Sequence, residues 1–209
     1  EPITAADLAR LNAYEAELRE RQQLADPGLR LGVIFGAFLL NLTILGVFGV
    51  LVYFIRPRIY ASLRWILLQA GLVVSYFALA RLVAANGLPP EALPVSFVTL
   101  TVAVLWDSRI ALVLGLVLAV LTVAQTPFAS TAVLFPTMVG AAAAATSVRV
   151  VRRRAQTWVF VAIITGAYAV TLLALALLNT TSPGLVAVSL GWAGANAALS
   201  AIVAMGFMP

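Results

Sequence analysis

Long apolar runs separated by short polar connections fill the chain from Leu31 to Pro209. Seven are readable, at about 31–55, 65–85, 94–106, 110–125, 131–148, 156–178 and 185–208. A hydrocarbon layer about 30 Å thick is crossed by a helix of about 20 apolar residues, and lipid offers no partner to an unpaired backbone group. The pattern predicts an all-α fold: a polytopic membrane bundle of seven transmembrane helices over residues 29–209. The runs 94–106 and 110–125 form a helical hairpin around Asp107, Ser108 and Arg109. At about 1.5 Å rise per residue each arm is short, so a full crossing requires flanking residues or a locally thin membrane.

Residues 1–28 follow a different rule. Leu8, Leu11, Tyr14 and Leu18 recur at helical spacing with Glu15, Glu17, Arg19, Glu20 and Arg21 between them. Thr4 and Asp7 are spaced as an N-terminal capping pair, and Asp26, Pro27 and Gly28 close the pattern. This segment is expected to be a short amphipathic helix, either a membrane-proximal linker or the end of an extracytoplasmic domain. The chain opens on Glu1 and stops at Pro209 directly behind an apolar run, so an excised domain of a longer protein is expected.

Composition sharpens the picture. Of 209 residues, 63% are hydrophobic, against roughly 45 to 50% in soluble domains. The absence of Cys excludes disulfides and thiolate chemistry. The absence of His removes the commonest general base and metal ligand. All thirteen basic residues are arginine, and the net charge of +5 gathers in short loops, not on a soluble nucleic-acid-binding face. Arg56, Arg58, Arg64, Arg109, Arg149, Arg152, Arg153 and Arg154 fall in connections on one side, and only Arg30 and Arg81 approach the other. Arginine-rich loops stay cytoplasmic. The expected topology is N-terminus outside and C-terminus cytoplasmic, with Trp65, Trp106 and Trp158 at the cytoplasmic interface.

Few residues offer chemistry. Glu91 and Asp107 are the only acids beyond Asp26 and both fall in expected loops, so no ionisable group is anticipated at mid-membrane. Arg81 lies near an outer helix end, where snorkelling competes with ligand contact. Asn41, Gln69, Gln125 and Asn196 are amides within or beside spans, and each must find a partner. They read as interhelical hydrogen bonds, with Asn41 and Asn196 also open to a ligand-lining role. Gly32 and Gly36, the run Gly140 to Ala145 and the run Gly191 to Ala201 read as close-packing surfaces. The Arg149 to Arg154 cluster either fixes orientation or meets anionic lipid or an acidic partner surface. Asn179, Thr180 and Thr181 match a glycosylation acceptor, which carries no meaning in a bacterial chain.

In order along the chain, several short motifs resemble the bacterial seven-transmembrane HD-domain phosphohydrolases. Glu1 to Thr4 and the leucine-rich helix after them are similar to the end of that family's extracytoplasmic domain. Leu93 and Pro94, then Leu105 to Arg109 and Ala111, resemble its third and fourth spans with their Asp-Ser-Arg turn. Arg149 to Ala155 is similar to its basic loop, and Asn196 to Pro209 to its final span. The likeness covers essentially the whole chain. It implies a membrane domain that relays a signal from an outer sensory domain to a cytoplasmic HD hydrolase, which cleaves cyclic di-AMP with bound metal ions. A chain without His departs from the family's metal site, so the resemblance carries no catalytic, cofactor or metal residue onto this sequence. The implied partners are membrane lipids and the two soluble domains of the same parent chain, with homo-oligomers left open and no nucleic acid; the implied location is the bacterial cytoplasmic membrane. Two other classes compete: a small-solute-binding subunit of an importer and a lipid-binding scaffold. Tight solute binding by the purified protein distinguishes the first.

Overall fold

The computed structural model describes residues 8, 10–14, 17, 27–57, 62–148, 157–179 and 182–206. Arg58, Arg149, Arg152, Arg153 and Arg154, and most of the amphipathic segment, lie outside the described residues. The chain divides into two compact units, residues 1–43 and 44–209. In the first, residues 10–14 are helical and exposed. Pro27 and Gly28, expected to end one helix, instead begin the next, where a proline in the first turn sacrifices no hydrogen bond.

Among the described residues seven α-helices carry the apolar runs: α1 (Pro27–Ile55), α2 (Leu63–Ala85), α3 (Val95–Leu105), α4 (Ser108–Val123), α5 (Thr131–Ser147), α6 (Thr157–Asn179) and α7 (Pro183–Met205). Short 3₁₀ turns at Pro90–Ala92 and Thr126–Phe128 fill the connections before α3 and α5. Four helices, α1, α2, α6 and α7, are long and apolar enough to cross a membrane, whereas α3, α4 and α5 are shorter. The protein is a multi-pass membrane protein. Its large exposed side chains fit that solvent: Phe54, Trp158, Val170 and Leu178 stand on the outside of the long helices, where water would penalise them and lipid does not.

The short helices are central. Eight of the eleven residues of α3 are buried, and α3 packs on α2, α4, α5 and α7. One core joins Phe48 and Val52 of α1 to Tyr76, Val98, Val102 and Leu114. A second, rich in alanine, joins Ala144 of α5 to Phe160 and Ile164 of α6 and Ala193 and Ala197 of α7. Small side chains let these backbones approach where hydrophobic driving force between helices is weak. Two glycines take this furthest. A methyl group on Gly115 would lie 2.5 Å from Thr99 Cγ2 and 2.6 Å from Ala141 Cβ, and one on Gly140 would overlap the Tyr168 ring. Gly32 and Gly36, expected as a packing motif, have no such neighbour within 4 Å.

Local chemistry sets the helix ends. After α2, Gly87 adopts φ 61°, while Gly87 N–H donates to Ala84 O and Leu88 N–H to Val83 O. This double closure at a left-handed residue is favoured by glycine. Asp107 caps α4 by accepting from Arg109 N–H at 2.8 Å, and Ser130 caps α5 through Val133 N–H. Pro136 lies inside α5, where it cannot donate to Ala132 O, and the helix continues through it.

Candidate functional site

The loop end of the bundle, between α2 and α3, holds a buried polar cluster. Prolines 89, 90 and 94 forbid a continuous helix from 86 to 94, and the segment folds as a 3₁₀ turn that packs on α5 and α7. Leu93 joins Ala80, Val83, Phe128 and Val133 in a small apolar cluster beneath it. Asn196, one helical repeat inside the α7 face that meets the loop, donates from Nδ2 to Glu91 O at 3.0 Å and to Leu93 O at 2.6 Å. Its Oδ1 accepts from Ser200 Oγ at 3.2 Å. One amide thus serves two loop carbonyls: that of Glu91, which apolar surroundings would otherwise leave unpaired, and that of Leu93, which also accepts from Val95 N–H at 2.8 Å.

The Glu91 side chain enters the protein. It is only 5% exposed, and among the described residues its Oε2 has no hydrogen-bond partner. Beside it opens a cavity of about 150 Å³ bordered by Ala132 of α5, Leu172, Leu175 and Asn179 of α6, and Leu185 and Ser189 of α7. Glu91 and Asn179 both border it, the first buried and the second exposed. The sequence pattern placed Glu91 in a loop, and it lies in the connection between α2 and α3. Proline-rich punctuation is real there, but burial comes from α7, more than a hundred residues later.

The opposite end is charged. Arg56 Nη2 donates to Asp107 Oδ2 at 3.2 Å, joining the end of α1 to the α3–α4 turn. The Arg109 backbone N–H and then the Arg56 guanidinium hold the Asp107 carboxyl below the usual carboxylate range, against a smaller opposing effect of desolvation. The Trp106 ring meets Trp65 edge to face at 5.6 Å, and the Arg64 guanidinium lies 5.2 Å above Trp65. Arg109 is exposed on the same turn.

The remaining expected residues scatter. Asn41 donates within its own helix to Ala37 O at 2.8 Å. Gln69 is buried on α2 beside a groove that Leu45 and Phe48 of α1 also line. Arg81 is exposed near the loop end of α2, and Gln125 is half-buried before the second 3₁₀ turn. Pattern reading passed over a further buried pair, Tyr76 and Thr122, whose hydroxyls are 2.7 Å apart across α2 and α4. A tyrosine amid apolar neighbours left no signal of its partner. Among the described residues no group of three His, Cys, Asp or Glu side chains is placed to hold a metal.

Residues 31–209 match the family model described as a 7TM receptor with intracellular HD hydrolase. The chain belongs to this receptor family. No curated protein and no solved structure matches the chain. The match begins within α1 and covers all six later helices, so the described bundle is the receptor part of a protein class whose hydrolase is intracellular. Asn196, the 3₁₀ turn and the Asp107 turn all lie inside the matched residues.

Proposed function

We propose that this chain is the membrane relay of a bacterial receptor, coupling an outer signal to a cytoplasmic HD phosphodiesterase that cleaves cyclic di-AMP. In this reading all seven helices cross the inner membrane, the α3–α4 hairpin doing so inside the bundle, shielded from lipid. The amino end faces outward and the carboxyl end faces the cytoplasm, where the hydrolase, the extracytoplasmic domain and membrane lipids are the partners. The family's description supports the receptor and hydrolase roles. The arginine-rich connections, including Arg56, Arg64 and Arg109 at the Asp107 end, support the orientation. Cyclic di-AMP rests on the sequence resemblance alone.

The observation that carries the relay is the Asn196 clamp. α7 is the last helix, and its amide holds the loop that caps the opposite end of α2 and α3. Displacement of that loop therefore acts directly on the helix nearest the output, which is what a two-state relay requires. In the full-length receptor, Asn196→Leu is expected to make cyclic di-AMP hydrolysis insensitive to outer stimulation. An unchanged response removes the clamp from the relay. Labelling of the two ends on intact cells tests the topology, and finding both in one compartment rejects it. Hydrolysis of other cyclic dinucleotides but not cyclic di-AMP rejects the substrate.

A further inference from the structure

Gln69 carries an amide into the apolar bundle, where every polar group needs a partner. The residue is only 9% exposed, and among the described residues no hydrogen bond or ion pair reaches its side chain. Unlike Glu91 Oε2, neither atom of the amide is sealed. Both keep open surface beside the groove that Gln69 lines between α1 and α2. Left unpaired in hydrocarbon, such an amide costs free energy until a partner arrives.

The groove encloses about 340 Å³, and every other side chain on it is apolar, among them Leu45 and Phe48 of α1 and Ile66, Val73 and Val74 of α2. The two helix backbones do not pack closely on one another, and Val50 and Val74 are exposed at the edges, so the groove opens sideways to lipid. From Ile66 to Val74 it follows α2 for about 12 Å. Gln69 sits near its upper end, one turn or about 6 Å below Trp65, an indole of the kind that settles at headgroup level. Arg64 and Arg56 stand at that same end, both exposed, with Arg56 also paired to Asp107.

We propose that this groove binds an anionic phosphoglyceride of the membrane. One acyl chain fills the groove, the ester carbonyl at its head accepts from the Gln69 NH₂ group, and the phosphate stands toward Arg56 and Arg64. Three features select this occupant. One turn of a helix about 10 Å across fills roughly 420 Å³, which excludes a helix from a second copy, whereas a single alkyl chain enters. The amide supplies two donors, and an ester carbonyl lies at the depth where headgroup gives way to hydrocarbon. The arginines favour an anionic headgroup. The site rests on lipids being partners of this chain, and it holds or fails apart from the relay and its substrate because no hydrolysis enters the test.

Native mass spectrometry of the full chain in detergent micelles, titrated with phosphatidylglycerol, reads the site directly. Saturable binding is expected, tighter than that of phosphatidylcholine with the same chains. The diether analogue of phosphatidylglycerol keeps the headgroup and the chains but lacks the ester carbonyls. It should bind about threefold more weakly, the worth of one ordinary intramembrane hydrogen bond. Gln69→Leu should bind both forms equally, at the diether level, and Ala70→Phe, which fills the groove and leaves the amide, should abolish saturable binding. Thermal unfolding confirms that each variant is folded, and if Gln69→Leu is not, the ester and diether titrations of the parent chain decide. Equal binding of ester and diether lipids by the parent chain, equal binding of phosphatidylcholine, or undiminished binding by folded Ala70→Phe overturns the proposal. A dimer that resists added lipid and is broken by Ala70→Phe overturns it too, since the groove then belongs to a second copy.

Discussion

Tyr168 of α6 lies on Gly140 of α5 so closely that the phenol ring occupies the space of a side chain there. Tyr168 is also fully enclosed, 2% exposed within the alanine-rich core, so it has no room to retreat. Gly140→Ala should destabilise the bundle by about 1 to 3 kcal/mol, the usual penalty of overpacking. Gly166 and Gly191, with nothing within 4 Å of an added methyl, are the controls. Alanine there should be neutral or stabilising by about 0.5 to 1 kcal/mol, since glycine weakens helix interiors. Thermal unfolding in a fixed detergent measures all three, and a loss at Gly191→Ala as large as at Gly140→Ala contradicts the packing described.

Loss of the Asn196 amide strands the Glu91 carbonyl, whereas the Leu93 carbonyl keeps the Val95 N–H at 2.8 Å. Asn196→Leu should cost about 1 to 2 kcal/mol, above the mean of about 0.6 kcal/mol for intramembrane hydrogen bonds because a buried acceptor is left unpaired. Asn196→Asp removes the same NH₂ and adds charge, so it should cost more. Hydrogen exchange adds a local readout: the amides of Ala92 and Leu93, which bond within the 3₁₀ turn, should exchange faster in both variants. Unchanged protection there means that the loop is held by its apolar cluster alone.

The Asp107 carboxyl titrates below its ordinary range, chiefly through the Arg109 backbone N–H. A depressed folded-state value stabilises the fold at pH above the unfolded value, near 4, and that stabilisation disappears as pH falls through the lower folded value. Asp107→Asn keeps a good helix cap and removes the charge. At pH 7 the variant should be less stable by up to about 1 kcal/mol, the range of an exposed ion pair. The difference should vanish once the pH has fallen below the depressed folded-state value. A gap between the two unfolding curves that persists in acid excludes the titration as its cause.

Tyr76 and Thr122 share a hydrogen bond in the middle of the bundle, and Thr122 Oγ1 also lies 2.6 Å from Leu118 O. Tyr76→Phe therefore leaves the threonine with a partner and should cost only about 0.5 to 1.5 kcal/mol. A double-mutant cycle with Thr122→Val should return a coupling of about 0.6 kcal/mol, typical of hydroxyl pairs between membrane helices. A coupling near zero denies the bond.

Helix positions were legible in the apolar runs to within a few residues, because each connection carries its own punctuation: Arg56 and Pro57, Asn86 and Gly87, Asp107, Ser130, Ser182 and Pro183. Depth was not legible. A run of eleven residues reads the same whether it skirts lipid or occupies the centre of a bundle, and α3 occupies the centre. Asn196 stood out as a polar residue in an apolar helix, yet its partners are backbone carbonyls that no side-chain pattern marks. Glu91 was hidden for the converse reason: its neighbours in sequence are turn-formers, and the wall that encloses it is assembled from helices far along the chain.

The centrality of α3 constrains how the protein is made. This helix emerges from the ribosome before α4 to α7, and one of its sides stays bare until α7 arrives. With Ser96, Thr99 and Thr101 along its eleven residues, it is a poor candidate for solitary residence in lipid. Insertion machinery must therefore shelter the α3–α4 hairpin while the remaining helices are translated, and truncation before Pro183 leaves a nascent chain with an exposed seam for quality-control proteases to recognise.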